Sequence, residues 1–322
     1  MGWWRWAWPE RTAPGRGGAG GQPLLRRLQL ELVNACNYRC PLCRTLERDG
    51  VTRRRMTLDE LRRVVEPVAR DLSAVALYGT RGEPYLHADL EPAIAWLRAA
   101  TPARVELSTN GSLLLPDRAQ ATLEAGLDRL IVAVDGLTQE SYARYRVGGQ
   151  LETVLENVRE LCRRKRAGGF ETQVVFQLIP MAANEPELPR LDALARELGV
   201  DEVRLKLSQS VARDPDLRPR QEGLRAALAA PAREFPCPFG SDKLYVDPNG
   251  DVFPCCYAEG RPGLRIGNAL ETPLPDLFAS PLARAVREPF LRGGERHPFC
   301  QETCAARGPR EKLKLPRALP RA

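Results

Sequence analysis

The chain has 322 residues, 43% hydrophobic and 28% charged, which is enough for one large folded unit and a small one. No run of about 18 apolar residues is present to span a membrane. The net charge of +7 sits in two tails, with five arginines and one glutamate in residues 1–28 and six Lys or Arg and one glutamate in residues 305–322. The body between them is close to neutral, which argues against a nucleic-acid-binding protein.

Residues 1–24 carry four tryptophans by Trp8 and are rich in Gly, Pro and Arg, without periodicity or a continuous apolar stretch. They read as a disordered tail rather than a secretory signal, and the protein is expected in the cytoplasm. From residue 25 strands and helices alternate. Strands are expected at Leu28–Val33, Ala74–Tyr78, Arg104–Leu107, Arg129–Val134, Glu171–Ile179 and Glu202–Leu207. Helices are expected at Thr57–Asp71, Leu90–Ala100, Asp117–Ala125, Leu151–Arg166 and Glu187–Leu198. Thr57 with Glu60 three residues on is a capping box. Alternating β and α elements imply an α/β fold with a mostly parallel sheet, either a six-unit open barrel or a doubly wound sheet. Ligands then bind at the carboxyl ends of the strands, where polar, Gly or Cys residues follow nearly every strand.

Residues 211–236 read as a linker with a short helix near Leu224–Ala230. A second unit spans residues 237–304. In it Lys243–Val246 and Val252–Pro254 flank an Asn-Gly turn, a β-hairpin signal. One helix is expected over 275–290. Residues 305–322 form the basic tail.

Nine cysteines are many for a cytosolic chain, where disulfides are rare and clustered thiols bind metal or react. Cys36, Cys40 and Cys43 follow the first strand in C-x3-C-x2-C spacing. Three thiolates on one loop can hold a [4Fe–4S] cluster with one iron left open to a ligand. Zinc and a buried or redox-active thiol set are the alternatives. Zinc usually takes four ligands, and His87 and His297 are the only histidines. Cys237, Cys255, Cys300 and Cys304 supply four ligands, the number for a closed cluster, with zinc again the alternative. Cys256 beside Cys255 and Cys162 within a helix read as spectators.

The segment CNYRCPLC resembles the signature loop of radical S-adenosylmethionine (SAM) enzymes, with Leu42 in a position that is more often aromatic. Gly82, Glu83 and Pro84 resemble the loop after the family's second strand, which binds the methionine amino group. Ser108 and Asn110, in STNG, resemble the segment near the ribose and carboxylate. Arg146, within GLDRLIVAVDGLTQESYARYRVGG, matches an arginine that pairs with the methionine carboxylate. Arg81 stands where the family often has glycine, and Ala133 where it commonly has serine. The second cysteine set resembles the twitch domain, a shortened relative of the SPASM domain, although Cys300 and Cys304 are spaced C-x3-C rather than C-x2-C. The likeness covers roughly residues 26–304.

The resemblance implies a partial (β/α)6 barrel with a small α+β auxiliary domain and three cofactors. These are a SAM-binding [4Fe–4S] cluster, SAM, and an auxiliary [4Fe–4S] cluster. It further implies reductive SAM cleavage to a 5′-deoxyadenosyl radical, which takes a hydrogen atom from the substrate. The second cluster would accept an electron, which favours net oxidation. A flavodoxin or ferredoxin would supply the reducing electron. The expected substrate is a small polar, sugar-like metabolite that is oxidised or epimerised. A ribosomal peptide is the alternative, although the roughly 25 residues before the first strand are too few for a fused peptide-recognition domain. A non-catalytic Fe–S protein is the third reading. The resemblance assigns no catalytic residue.

Overall fold

A computed structural model of the chain describes residues 24–44, 53–206, 208, 211, 214–229 and 237–304. Residues 1–23 and 305–322 of the two basic tails, Leu207 at the expected end of the sixth strand, and residues 212, 213 and 230–236 of the expected linker lie outside the described residues.

Six parallel strands alternate with helices. They are β1 (Arg27–Leu30), β2 (Ala74–Leu77), β3 (Arg104–Thr109), β4 (Arg129–Ala133), β5 (Gln173–Leu178) and β6 (Glu202–Leu205). Between them run α1 (Leu58–Val65), α2 (Leu90–Ala100), α3 (Pro116–Glu124), α4 (Gln139–Tyr145), α5 (Leu151–Gly168) and α6 (Leu188–Leu198). This is the expected partial barrel. After α7 (Glu222–Ala229) come β7 (Lys243–Val246), β8 (Asp251–Phe253) and β9 (Gly267–Asn268). The full sheet runs β6-β5-β4-β3-β2-β1-β7-β8-β9. β7 pairs in parallel with β1, placing Gln29 opposite Tyr245, so the C-terminal hairpin extends the barrel sheet.

Side chains alternate across the sheet. Leu28, Val75, Leu107, Val132 and Phe176 face the helices and join Leu61, Ile94, Val158 and Leu191 in one buried core. The opposite face is mixed, with a polar set among small and branched side chains. In register across the strands it carries Gln29, Ala76, Glu106 and Arg129, and further along Gln177 and Arg204. Arg129 donates to Glu202 at 2.6 Å, and the Tyr78 hydroxyl donates to Glu106 at 3.1 Å. The barrel interior therefore sets these polar groups among small and branched side chains, Ala76, Ile131, Ala133 and Val175.

Local signals explain most element ends. Thr57 and Glu60 form the expected capping box. The helix expected over 57–71 divides instead, with α1 ending at Val65 and a tighter turn of helix following over Glu66–Asp71. Pro67 lacks the N–H that an α-helix needs there. The helix expected over 275–290 is two helices, α8 (Leu274–Phe278) and α9 (Pro281–Arg292). Ser280 accepts from the Ala283 amide at 3.3 Å and starts a new helix with Pro281 in its first position. In the hairpin turn Gly250 has φ +82°, while Asp247 accepts from the Asn249 and Asp251 amides at 2.8 and 2.9 Å. The short β9 carries no sequence signal, being two residues long.

Candidate radical centre and auxiliary cysteine site

The loop with Cys36, Cys40 and Cys43 leaves the carboxyl end of β1 and is fastened by the ends of β2, β3 and β4. The Glu83 amide donates to the Ala35 carbonyl at 2.8 Å. Asn110 donates to Asn37 Oδ1 at 2.9 Å, and Asn37 in turn donates to the Ser112 hydroxyl at 2.9 Å. The Arg39 amide donates to the Val147 carbonyl at 3.0 Å. Tyr38 anchors the loop, with its ring buried and its hydroxyl 3.3 Å from that of Tyr142.

The three thiols are free of disulfides. Cys36 accepts from the Tyr38 amide at 3.4 Å and lies 4.0 Å from Asn110 Nδ2. An Arg146 guanidinium nitrogen lies 3.8 Å from the Cys40 sulfur. The Cys43 thiol donates to the Thr80 carbonyl at 3.7 Å. Burial pushes Cys36 up to about 12, with Glu83 and the other two thiols adding to the rise. Burial also raises Cys40, against the pull of Arg146. Among the described residues no three His, Cys, Asp or Glu side chains converge closely enough to hold one metal ion. Three soft thiols on one short loop, with no histidine among these hydrogen-bond partners, fit a multi-iron cluster better than a single zinc held at about 2.3 Å by each sulfur.

The other residues singled out from the sequence meet at the same mouth. Glu83 is buried, accepting from the Thr109 hydroxyl at 2.6 Å, the Asn110 amide at 2.8 Å and the Tyr85 amide at 3.2 Å. Its carboxylate thus ties the β2 loop to the end of β3. Pro84 opens a single helical turn over Pro84–Leu86. Arg146 is held by two 2.6 Å contacts to Asp135, which is fully buried after β4. Ser108 is half-buried on β3, opposite Ile131. Leu42 packs against the core.

In the C-terminal unit Cys255 and Cys256 follow β8 and pack on a small apolar cluster that includes Tyr245, Phe253, Phe299 and Cys300. Burial raises the Cys255 thiol well above its ordinary value, and neighbouring Cys256 and Cys237 add to that. Cys300 and Cys304 lie on α10 (Pro298–Cys304). The Cys304 side chain lies outside what the structure describes. Cys162 is buried in the main core on α5, apart from both sets.

Residues 30–181 match the model of the radical SAM superfamily, and residues 237–305 match the iron-sulfur cluster-binding domain called SPASM. The chain belongs to the radical SAM superfamily and carries a C-terminal SPASM domain. A radical SAM domain binds SAM and a [4Fe–4S] cluster, and a SPASM domain binds auxiliary Fe–S clusters. The chain is 34% identical over 192 residues to a GTP 3′,8-cyclase of Synechococcus sp. (strain CC9902), covering 56% of this chain and 54% of that one. It is 30% identical over 175 residues to an AdoMet-dependent heme synthase of Methanosarcina barkeri, covering 54% and 48%. The chain thus spans about half the length of these curated relatives. Its fold is similar to Streptococcus suis SuiB bound to the precursor peptide SuiA, with TM-score 0.65, 13% identity and coverage of 89% and 75%. It is also similar to BtrN in complex with AdoMet and 2-DOIA, with TM-score 0.52, 18% identity and coverage of 84% and 89%. No helix among the described residues of this radical SAM protein is long and apolar enough to cross a membrane.

Sequence reasoning passed over one buried carboxyl at this mouth. Glu31, 1% exposed, ends the β1 run and accepts from the Arg81 and Gly82 amides at 2.7 Å each and from the Tyr245 hydroxyl. The only signal was its place in the polar alternation Gln29, Glu31. Burial, reinforced by Glu259, pushes its carboxyl up to about 7. A carboxyl raised on folding favours the protonated native state. Its stabilising share is complete below pH 4.5 and is lost as the pH rises through 7. Glu31→Gln keeps an acceptor for both amides and carries no charge. Urea unfolding should show the variant gaining on the parent protein from pH 5 to pH 8, by roughly 3 kcal/mol at most. A gap that stays constant with pH would show that Glu31 does not titrate in this range.

Proposed function

We propose that this chain is a radical SAM oxidoreductase that acts on a small polar, sugar-like metabolite in the cytoplasm, with a flavodoxin or ferredoxin as reductant. Residues 25–210 form its radical SAM barrel, 211–236 a linker, and 237–304 a SPASM or twitch-type auxiliary unit. Cys36, Cys40 and Cys43 hold the SAM-binding [4Fe–4S] cluster, and Cys237, Cys255, Cys300 and Cys304 hold the auxiliary one. The observation that carries the reading is the trio of unbridged thiols at the mouth of the barrel, with Cys36 and Cys40 desolvated. Buried thiols deprotonate at little cost only when a metal replaces the proton.

When bound, the reduced cluster and SAM supply a one-electron cleavage that yields the 5′-deoxyadenosyl radical. The protein's own part is positional. Arg146, pinned by Asp135 beside Cys40, presents positive charge where a carboxylate would sit. Glu83 fixes the β2 and β3 loops against the cysteine loop, and Asn110 and Asn37 brace it from the side. Leu42 packs beneath it, while Gly82 and Pro84 shape the adjoining turn and Ser108 faces the interior. Gln177 and Arg204, towards the carboxyl ends of β5 and β6, give the interior hydrogen-bonding groups suited to a hydroxyl-rich substrate.

The reading is tested by anaerobic reconstitution with iron and sulfide. The expected product holds about eight irons per chain and releases 5′-deoxyadenosine when given SAM and dithionite. Tetrahedral zinc at the three thiols, or no deoxyadenosine, would overturn it. SuiB bound to a precursor peptide makes a peptide substrate the second reading. Deuterium passing into deoxyadenosine from labelled aminosugars, and not from labelled peptides, decides between them.

The two adjacent cysteines make a sharper test of the auxiliary assignment. Cys255→Ala should lower the iron content by about half, whereas Cys256→Ala should leave it unchanged. Equal losses in both variants would move the ligand assignment to Cys256 as well.

A further inference from the structure

Arg81 precedes Gly82 in the β2 loop, yet its side chain does not turn to solvent. It is 5% exposed and forms a 2.8 Å ion pair with Glu259, which is 6% exposed and lies 178 residues away in the chain. A second guanidinium nitrogen donates to the Arg44 carbonyl at 2.7 Å. Arg44, next to Cys43, donates back to the Glu259 carbonyl at 2.9 Å. The Thr80 hydroxyl donates to the Glu259 carboxylate, and the Thr80 carbonyl accepts from the Cys43 thiol. On the far side Glu259 lies three residues beyond Cys256, and the Tyr245 hydroxyl bridges from β7 to Glu31 and Glu259. A continuous bonded path therefore runs from Cys43 through Thr80, Arg44 and Arg81 to Glu259 and the Cys255–Cys256 loop.

We propose that Arg81 and Glu259 are positioning residues that lock the two cysteine loops together and so set the separation and orientation of the two clusters. The inference rests on the functional reading above. Electron transfer falls off steeply with separation, so a joint between the loops governs how readily an electron reaches the auxiliary site. A surface pair would be too weak and mobile for this. This pair is buried, and its carboxylate is fixed by several donors at once. Buried pairs cost desolvation energy but lose heavily when one partner is removed, so they specify geometry better than they add net stability.

The test uses the reconstituted protein with Arg81→Met, Glu259→Gln, the double variant and Arg81→Lys. Two readouts are taken, the urea unfolding midpoint and the magnetic interaction between the two reduced clusters in electron paramagnetic resonance. Each single variant should lower the midpoint and weaken the interaction between clusters. The double variant should be no worse than the poorer single one, because the two act as a unit. Arg81→Lys should recover part of both readouts. SAM cleavage without substrate should stay within about threefold of the parent. Additive midpoints with an unchanged inter-cluster signal would overturn the joint. If the parent protein itself takes up no clusters, the functional reading fails instead, and the unfolding cycle still reports whether Arg81 and Glu259 are coupled.

Discussion

Replacing Cys36, Cys40 and Cys43 together by alanine is expected to abolish 5′-deoxyadenosine release while leaving the fold intact. The loop does not depend on its thiols for shape. Its course is set by backbone bonds from Glu83 to Ala35 and from Arg39 to Val147, by the Asn37–Asn110 contact, and by buried Tyr38. The thiols are lightly held, through contacts of 3.4 Å or longer to Tyr38 and Asn110 at Cys36, to Arg146 at Cys40 and to the Thr80 carbonyl at Cys43. Removing three small sulfurs, of which only that of Cys40 belongs to a buried core residue, costs little packing compared with a Leu→Ala change of about 2–5 kcal/mol. The far-ultraviolet circular dichroism and unfolding midpoint of the apo-protein should stay near the parent values. Iron content after reconstitution should drop by about half, because the auxiliary cysteines are untouched. Liquid chromatography of a SAM–dithionite reaction should find no deoxyadenosine above the enzyme-free control, a loss of at least about a thousandfold. Persistent cleavage in the triple variant would remove these thiols from the mechanism.

The largest loss of stability is expected from a single methyl group at Gly82. A Cβ at this position would lie 1.6 Å from the Val33 carbonyl oxygen and 2.7 Å from its carbon. Both obstacles are backbone, so no rotamer change relieves the clash. Val33 is itself bridged to Arg55, and the Gly82 amide is committed to Glu31. Gly82→Ala must therefore push the β2 loop away from the strand that launches the cysteine loop. We expect a loss of about 3 kcal/mol or more, together with failure to take up iron. Gly169→Ala is the control, because it ends α5 at φ +66° with nothing within 4 Å of its added carbon. It should cost only about 1 kcal/mol, the ordinary penalty for a side chain in the left-handed region. Denaturant unfolding distinguishes the two, and equal midpoints would mean that the β2 loop can move away at no cost.

These two glycines separate what a linear reading can find from what it cannot. The GEP tripeptide stood out after the second strand, but nothing local marks Gly82 as the point where two strand-end loops touch. The resemblance implies that backbone groups of the Gly82–Pro84 loop bind SAM, and only the fold shows that the Glu83 side chain ties Thr109, Asn110 and Tyr85 together. Arg146 was picked out for pairing with a carboxylate, and its partner within the fold is Asp135. Pro67 and Pro281 changed two helices in ways that local rules explain once a break is considered. The two-residue β9 has no periodicity to read.

Cysteine spacing, strand alternation and the cap at Thr57 are properties of a few neighbouring residues, so the barrel and its thiol loop could be recognised without coordinates. The meeting of Glu31, Arg81, Tyr245 and Glu259 could not. Those residues lie up to 228 positions apart in the chain and come together because β7 docks on the free edge of β1. That docking is chosen by edge pairing and burial over the whole sheet, which no short window of sequence encodes. Burial then decides the chemistry, for it turns an ordinary carboxylate and arginine into a desolvated joint between two cysteine loops.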